Sequence, residues 1–264
     1  MSASTQQRRE VILADVFDEQ RVMVKDLAEH LEVSEATIRR DLKALADEGK
    51  LELVHGGATL PRRTDYSFRS KGMRNVDAKR VVGRLAAELV SNGDQILVDS
   101  GTTCFQMIPV LKTKRGVSVI VNSARLALEL DTPNLDVILL GGQYRPDRMD
   151  TVGPLANATL EQLRGYVAFI SADGMSMDFG LTASDIESAD LYRRAVANSR
   201  EAVLLADATK FQSPSLFKIV DFDAISRVVT DRAPSPEWMQ FLQEKNIEVI
   251  HPVAGPTPHG DAVE

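Results

Sequence analysis

Residues 99–103 read Asp-Ser-Gly-Thr-Thr, follow the apolar run Ile96-Leu97-Val98 and precede a helical pattern. Such a loop offers hydroxyls, free amides and the positive end of a helix to an anion, and Gly101 lets the backbone close in. Phosphate suits that donor set. The competing reading is a plain helix cap, in which Ser100, Thr102 and Thr103 only satisfy the first turn. Polar or glycine residues also follow the other apolar runs: Asn122-Ser123, Gly141-Gly142, Ser171-Ala172-Asp173-Gly174 and Asp207-Ala208-Thr209-Lys210. Together they suggest a pocket for a small polyhydroxy anion. Asp99, Asp173, Asp207 and Asn122 would take hydroxyls, the Ser-Gly-Thr-Thr loop phosphate, and Lys210 would be counter-ion, with Ser123, Gly142 and Gly174 on the same edge. Individually, Asp173, Asp207 and Lys210 read equally well as local caps or ion pairs.

A second set centres on Arg39-Arg40, within the stretch 33–45. The planar guanidinium fork matches two phosphate oxygens or the O6/N7 edge of guanine. As a helix, this stretch puts Ile38, Leu42 and Leu45 on one stripe; Ala36, Arg40, Lys43 and Asp47 fall opposite, with Arg39 at the edge. Ser34 is a good N-cap and Gly49 a good stop. Residues 24–31 repeat the amphipathic spacing through Val24, Leu27, Ala28 and Leu31, and Glu32-Val33 leaves a tight connection. That is a helix-turn-helix, whose second helix enters a major groove. Residues 50–54 and 58–60 flank His55-Gly56-Gly57 as a two-stranded wing, to which residues 21–24 add a small strand. Ser34, Thr37, Arg39, Arg40, Lys43 and His55 are the candidate DNA contacts. The bland reading is a solvated face. Arg8 and Arg9, near the start of a first helix over 6–17, read as phosphate contacts or as a solvated terminus.

What must position these residues follows from length and pattern. The chain has 264 residues, 44% hydrophobic and 26% charged, ordinary for about two globular domains. Expected boundaries are a winged helix-turn-helix over 1–60, a linker over 61–74, an effector-sensing domain over 75–253 and a disordered tail over 254–264. From 75 onward, apolar runs at 96–98, 117–121, 137–140, 167–170, 202–206, 225–230 and 249–250 alternate with helical patterns. This predicts a doubly wound, largely parallel α/β domain, whose ligands bind at the carboxyl ends of the strands. Residues 1–75 hold 13 basic and 13 acidic residues, and the net charge of −7 resides in the rest. A DNA footprint must therefore be a local patch. No run of eighteen apolar residues and no signal-peptide pattern occurs, and the single cysteine, Cys104, excludes an internal disulfide framework, which fits a cytoplasmic location without membrane contact. The four histidines lack ligand spacing, so no metal is expected, and no dinucleotide fingerprint or other cofactor motif is present. Cys104 reads as a packing residue, or as a thiol activated by the helix it opens.

Thr37-Ile38-Arg39-Arg40-Asp41-Leu42 followed by His55-Gly56-Gly57-Ala58 resembles the signature of the DeoR family of bacterial transcriptional regulators. Residues 99–103, Asn122-Ser123, Gly141-Gly142, Gly153-Pro154, 172–174, 180–182 and 207–211 are similar to that family's effector domain, so the resemblance covers most of the chain. One departure is Leu53, where the family usually places an arginine. The resemblance implies a sequence-specific DNA-binding regulator, a repressor of a carbohydrate-metabolism operon, controlled by a phosphorylated sugar or polyol. It also implies a domain similar in fold to ribose-5-phosphate isomerase and the coenzyme A transferases. The alternative is a sugar-phosphate isomerase-like enzyme carrying a DNA-binding module. Isomerisation needs a base and a cation beside the enediolate. The isomerases follow their aspartate motif with a lysine; residues 173–182 contain none, and Lys210 or Arg145 would have to substitute. A regulator without enzymatic activity is therefore expected. One recognition helix specifies few base pairs, which calls for a homo-oligomer on repeated half-sites.

Overall fold

Ile38, Leu42 and Leu45 face inward from a helix over Glu35–Asp47, and each is essentially inaccessible to water. Fully burying one such side chain contributes about 1.5–3 kcal/mol. In the computed structural model, which describes residues 5–19, 21–47, 50–59, 68–212 and 214–252, this helix belongs to the first of two units, divided between Val76 and Asp77. The first unit runs α1 (Thr5–Glu19), β1 (Arg21–Met23), α2 (Val24–His30), α3 (Glu35–Asp47), β2 (Glu52–Val54) and β3 (Gly57–Thr59). Ile12, Val16, Leu27 and the α3 stripe share one core. β2 and β3 form an antiparallel hairpin turning at His55-Gly56, and β1 pairs with the other edge of β3. A Cβ on Gly57 would fall 1.9 Å from the Val22 carbonyl oxygen, so only glycine lets the two strands meet there. Gly49, expected to stop α3, and the tail 254–264 lie outside the described residues. So does part of the expected linker, which elsewhere contains the short helix α4 (Phe68–Gly72).

The second unit begins with α5 (Val76–Glu88) and is built on seven parallel strands. These are β4 (Gln95–Val98), β5 (Val117–Val121), β6 (Leu135–Leu139), β9 (Val167–Ser171), β12 (Glu201–Leu205), β14 (Arg227–Val229) and β15 (Glu248–Ile250). Their spatial order is β15-β14-β12-β9-β4-β5-β6. They coincide with the seven apolar runs because residues on both faces are covered. Ile96, Val98, Val119, Val121 and Phe169 enter one core, while Leu97, Ile120, Ala168, Ile170 and Leu204 enter the other. The order grows outward in both directions from the neighbours β4 and β9, so the strand order reverses between them. In open α/β sheets the crevice outside such a reversal is where ligands bind.

Helices α6 (Ile108–Leu111), α7 (Ala124–Glu129), α8 (Pro154–Leu160), α9 (Ile186–Asn198) and α10 (Pro236–Glu244) complete the unit. The single helix expected over 105–111 is instead a 3-10 turn, Cys104–Met107, leading into α6, whose first turn carries a proline. Two antiparallel ribbons lie beside the main sheet: β7 (Gln143–Arg145) with β8 (Asp150–Val152), and β10 (Gly174–Ser176) with β11 (Gly180–Ala183) and β13 (Phe217–Lys218). Trp238 on α10 stacks edge-on against Phe211 and Phe241 and donates its indole N–H to the Phe211 carbonyl at 3.1 Å, a core role.

Candidate functional site

In the first unit, Ser34 accepts the Thr37 N–H at 3.3 Å, and the two hydroxyls pair at 2.9 Å, which closes the N-terminal turn of α3. The outward face then presents Arg39, Arg40 and Lys43, all exposed. Arg39 leans back on Glu35 at 2.7 Å. Arg40 and Lys43 form no ion pair among the described residues, so their charge is available. His55 is exposed at the tip of the hairpin, and Leu53 beside it is 52% exposed. Arg8 and Arg9 do not extend toward a phosphate: both grip Asp41, at 2.7 and 2.9 Å, whose side chain is only 3% exposed. Asp41 lies one helical step from Ile38 on the buried side of α3, where a carboxylate must be paired. The two arginines serve as its counter-charges.

In the second unit the loop after β4 divides into two parts. Asp99 is fully buried. Its carboxylate accepts the Gly101 N–H at 2.5 Å, the Ser171 N–H, and the Ser171 hydroxyl at 2.9 Å. Burial raises its pKa against those hydrogen bonds. Asp99 therefore ties the ends of β4 and β9 together. Ser100 is engaged too: its N–H goes to the Tyr192 hydroxyl at 3.1 Å, and its Oγ donates to Asp150 at 3.1 Å and pairs with Tyr192 at 2.8 Å. Burial, then the charges of Asp99 and Asp150, hold the Tyr192 phenol protonated. Ser100 and Gly101 thus have no donor left for an anion. A Cβ on Gly101 would meet the Ser171 Oγ at 2.2 Å, so glycine is required for this approach.

Thr102 and Thr103 differ. They are 7% and 4% exposed, yet neither hydroxyl has a hydrogen-bond partner among the described residues, and the N–H groups of Thr102, Thr103 and Cys104 are likewise unmatched. The free donors concentrate at residues 102–104, beside the strand-order reversal. Cys104 itself is buried, with its sulfur 3.8 Å from the Phe169 carbonyl; burial and the neighbouring Asp99 raise its pKa, so the thiol is a packing group and not an activated nucleophile.

The remaining expected residues occupy the carboxyl ends of their strands, mostly with local tasks. Ser123 caps α7 by accepting the Leu126 N–H at 3.2 Å, and Asn122 donates to the Thr151 carbonyl at 3.1 Å. Gly142 fits where a Cβ would lie 2.7 Å from the Val152 carbonyl oxygen. Asp173 accepts the Ser184 N–H and hydroxyl at 2.8 and 2.6 Å. The Gly174 carbonyl accepts the Thr182 hydroxyl at 2.7 Å. Asp207 is buried and accepts the Thr209 N–H at 3.1 Å. Lys210 makes no ion pair among the described residues.

A network unseen in the sequence braces this region. The Arg145 guanidinium binds Asp150 in two-pronged fashion, both contacts at 2.8 Å, and reaches Asp185 at 2.5 Å and the Ser188 hydroxyl at 3.0 Å. Arg148 lies 3.5 Å from Asp185. Asp150 is completely buried and, through Ser100, joins this cluster to the β4 loop. An open cleft of about 460 Å³ lies elsewhere, lined by Pro154, Asn157, Ile186, Arg193, Phe217 and Lys218. No helix of the described residues is long and apolar enough to cross a membrane.

This is the architecture of a DNA-binding module joined to an α/β sensor. The DeoR-like helix-turn-helix domain family matches residues 8–64, and the DeoR C-terminal sensor domain family matches residues 74–232. An uncharacterized HTH-type transcriptional regulator, YulB, of Bacillus subtilis (strain 168) is 31% identical over 92% of this chain and 95% of its own. The lactose phosphotransferase system repressor of Lactococcus lactis subsp. lactis is 32% identical over 90% and 95%. Among solved structures, a D-ribose-5-phosphate isomerase in complex with phospho-erythronic acid superposes with a TM-score of 0.39 at 13% identity, covering 52% of this chain and 54% of that one. The chain belongs to the DeoR family of transcriptional regulators and binds DNA through its helix-turn-helix. Family membership places it with regulators and not with isomerases.

Proposed function

We propose that this protein is a homo-oligomeric repressor of a sugar or polyol operon, released from its operator when a phosphorylated sugar or polyol binds the second unit. One observation carries the effector reading: the hydroxyls of Thr102 and Thr103 and the N–H groups of residues 102–104 are unmatched among the described residues and gathered where the strand order reverses. A phosphate dianion satisfies such donors with charge-assisted hydrogen bonds. Asp99 and Tyr192 hold the loop open for it from below, and Asn122 and Lys210 stand at neighbouring strand ends for the rest of the molecule. The repressor reading draws on relatives named as repressors, those of the lactose phosphotransferase system and of the aga operon.

On the DNA side, Arg40 and Lys43 reach the groove with Thr37 and Arg39 supporting, and His55 lies along the backbone. The test is a thermal-shift panel of phosphorylated sugars and polyols, since a ligand of the folded state raises its melting midpoint. A compound that shifts the midpoint and releases operator DNA establishes the sensor. Operator binding with no response to any phosphorylated compound rejects it.

A further inference from the structure

The two edges of the seven-stranded sheet are finished differently. β15 is short, carries Glu248 paired with Arg227 on β14 at 2.9 Å, and is followed closely by Pro252, features that discourage pairing with another strand. β6, at the other edge, reads Leu135-Asp136-Val137-Ile138-Leu139, with no proline or basic residue. Ile138 is 37% and Leu139 45% exposed, and Leu128 on the adjacent α7 is 72% exposed. The Leu140 N–H points inward to the Val121 carbonyl at 2.8 Å. Alternation along the strand then turns the N–H and C=O of Val137 and Leu139 outward, where no strand of the described residues meets them.

An extended, largely apolar strand would match those groups. β6 itself meets the requirement. We infer that two copies of this chain pair through β6, antiparallel about a two-fold axis at Val137, joining their sheets into one. The inference rests on the homo-oligomer reading above and names its surface. Each Val137 N–H meets its mate's Val137 carbonyl, and each Leu139 N–H meets the mate's Leu135 carbonyl. The Leu135 N–H, already given to Thr132 at 3.2 Å, is not needed. Asp136 then faces Ile138 of the mate, whereas an axis at Asp136 would oppose two carboxylates. Such an interface is isologous, as a two-fold contact must be.

The test measures the mass of the full-length protein in solution for the parent and two variants. Val137→Pro removes the outward N–H at a position where an edge strand tolerates proline. Val137→Cys places two thiols across the axis at a Cα separation of about 5.5 Å, suited to a disulfide; the native Cys104 is buried. The expected result is a dimeric parent, a folded monomeric Val137→Pro protein, and a Val137→Cys dimer that oxidation locks. A dimeric parent whose folded Val137→Pro variant stays dimeric, or whose Val137→Cys variant does not cross-link, overturns the β6 surface and leaves the oligomer reading standing. A parent that is monomeric at every concentration overturns both. If Val137→Pro fails to fold, the cysteine variant decides alone.

Discussion

The Tyr192 hydroxyl receives the Ser100 N–H at 3.1 Å and pairs with the Ser100 hydroxyl at 2.8 Å, so one phenol on α9 fixes the first turn of the loop after β4. Tyr192→Phe leaves that amide and hydroxyl short of a partner in a nearly dry site. The cost is about 1–3 kcal/mol. Thermal denaturation will show it, together with weaker effector binding; an unchanged midpoint and unchanged effector affinity would show that the loop holds its shape unaided.

Arg40 and Arg39 separate by their surroundings. Arg40→Ala removes an unpaired guanidinium and is expected to weaken operator binding by about 1–3 kcal/mol, ten-fold or more, with the melting temperature preserved. Arg39→Ala, which removes a group resting on Glu35 at 2.7 Å, will cost less. Fluorescence anisotropy with labelled operator ranks the two; equal losses refute the distinction.

Replacing both Thr102 and Thr103 by valine keeps the volume and deletes the free hydroxyls. Operator affinity should stay at the parental level while effector affinity falls at least ten-fold. Retained release by effector would remove these residues from the site.

Asp41 holds two arginines from inside the first unit. Asp41→Asn leaves Arg8, whose side chain is 11% exposed, without a counter-charge, and should destabilise that unit by about 3 kcal/mol. Chemical denaturation followed by circular dichroism reads the loss. A change below about 0.5 kcal/mol, the level of an ordinary surface substitution, would mean the pair is only a surface contact.

Acid should loosen the second unit through Asp185. Burial pushes its carboxyl up, but the Ser188 N–H and the guanidinium groups of Arg145 and Arg148 outweigh that and hold it below the ordinary value of 3.8. A carboxyl lowered on folding stabilises above its unfolded pKa and loses that contribution as pH falls through the folded value. The melting temperature should be insensitive to this group near neutrality and decline below about pH 4, close to the unfolded aspartate pKa. Asp185→Asn should flatten the decline; an identical acid profile would exonerate this residue.

The seven strands of the main sheet were legible because a strand covered on both faces is an unbroken apolar run, whatever its partners. The ribbons β7–β8 and β10–β11–β13 were not: each strand is two to four residues long, and nothing local distinguishes it from a loop. At the site, spacing located the strand ends but not the allocation of their donors. Asp99, Ser100 and Asp173 are engaged by Ser171, Tyr192 and Ser184, and Arg145 by Asp150 and, across 40 residues of chain, by Asp185. Such pairings are properties of the folded chain. Asp41 did leave a mark, as an acid adjoining the apolar stripe of Ile38, Leu42 and Leu45, where only a buried cation could accompany it.

With Arg8 and Arg9 both held at Asp41, and 13 basic residues matched by 13 acidic ones over residues 1–75, the DNA-binding unit should displace few condensed cations when it settles on a duplex. Its grip on random sequence should therefore be weak, and its affinity should fall only gently with added salt.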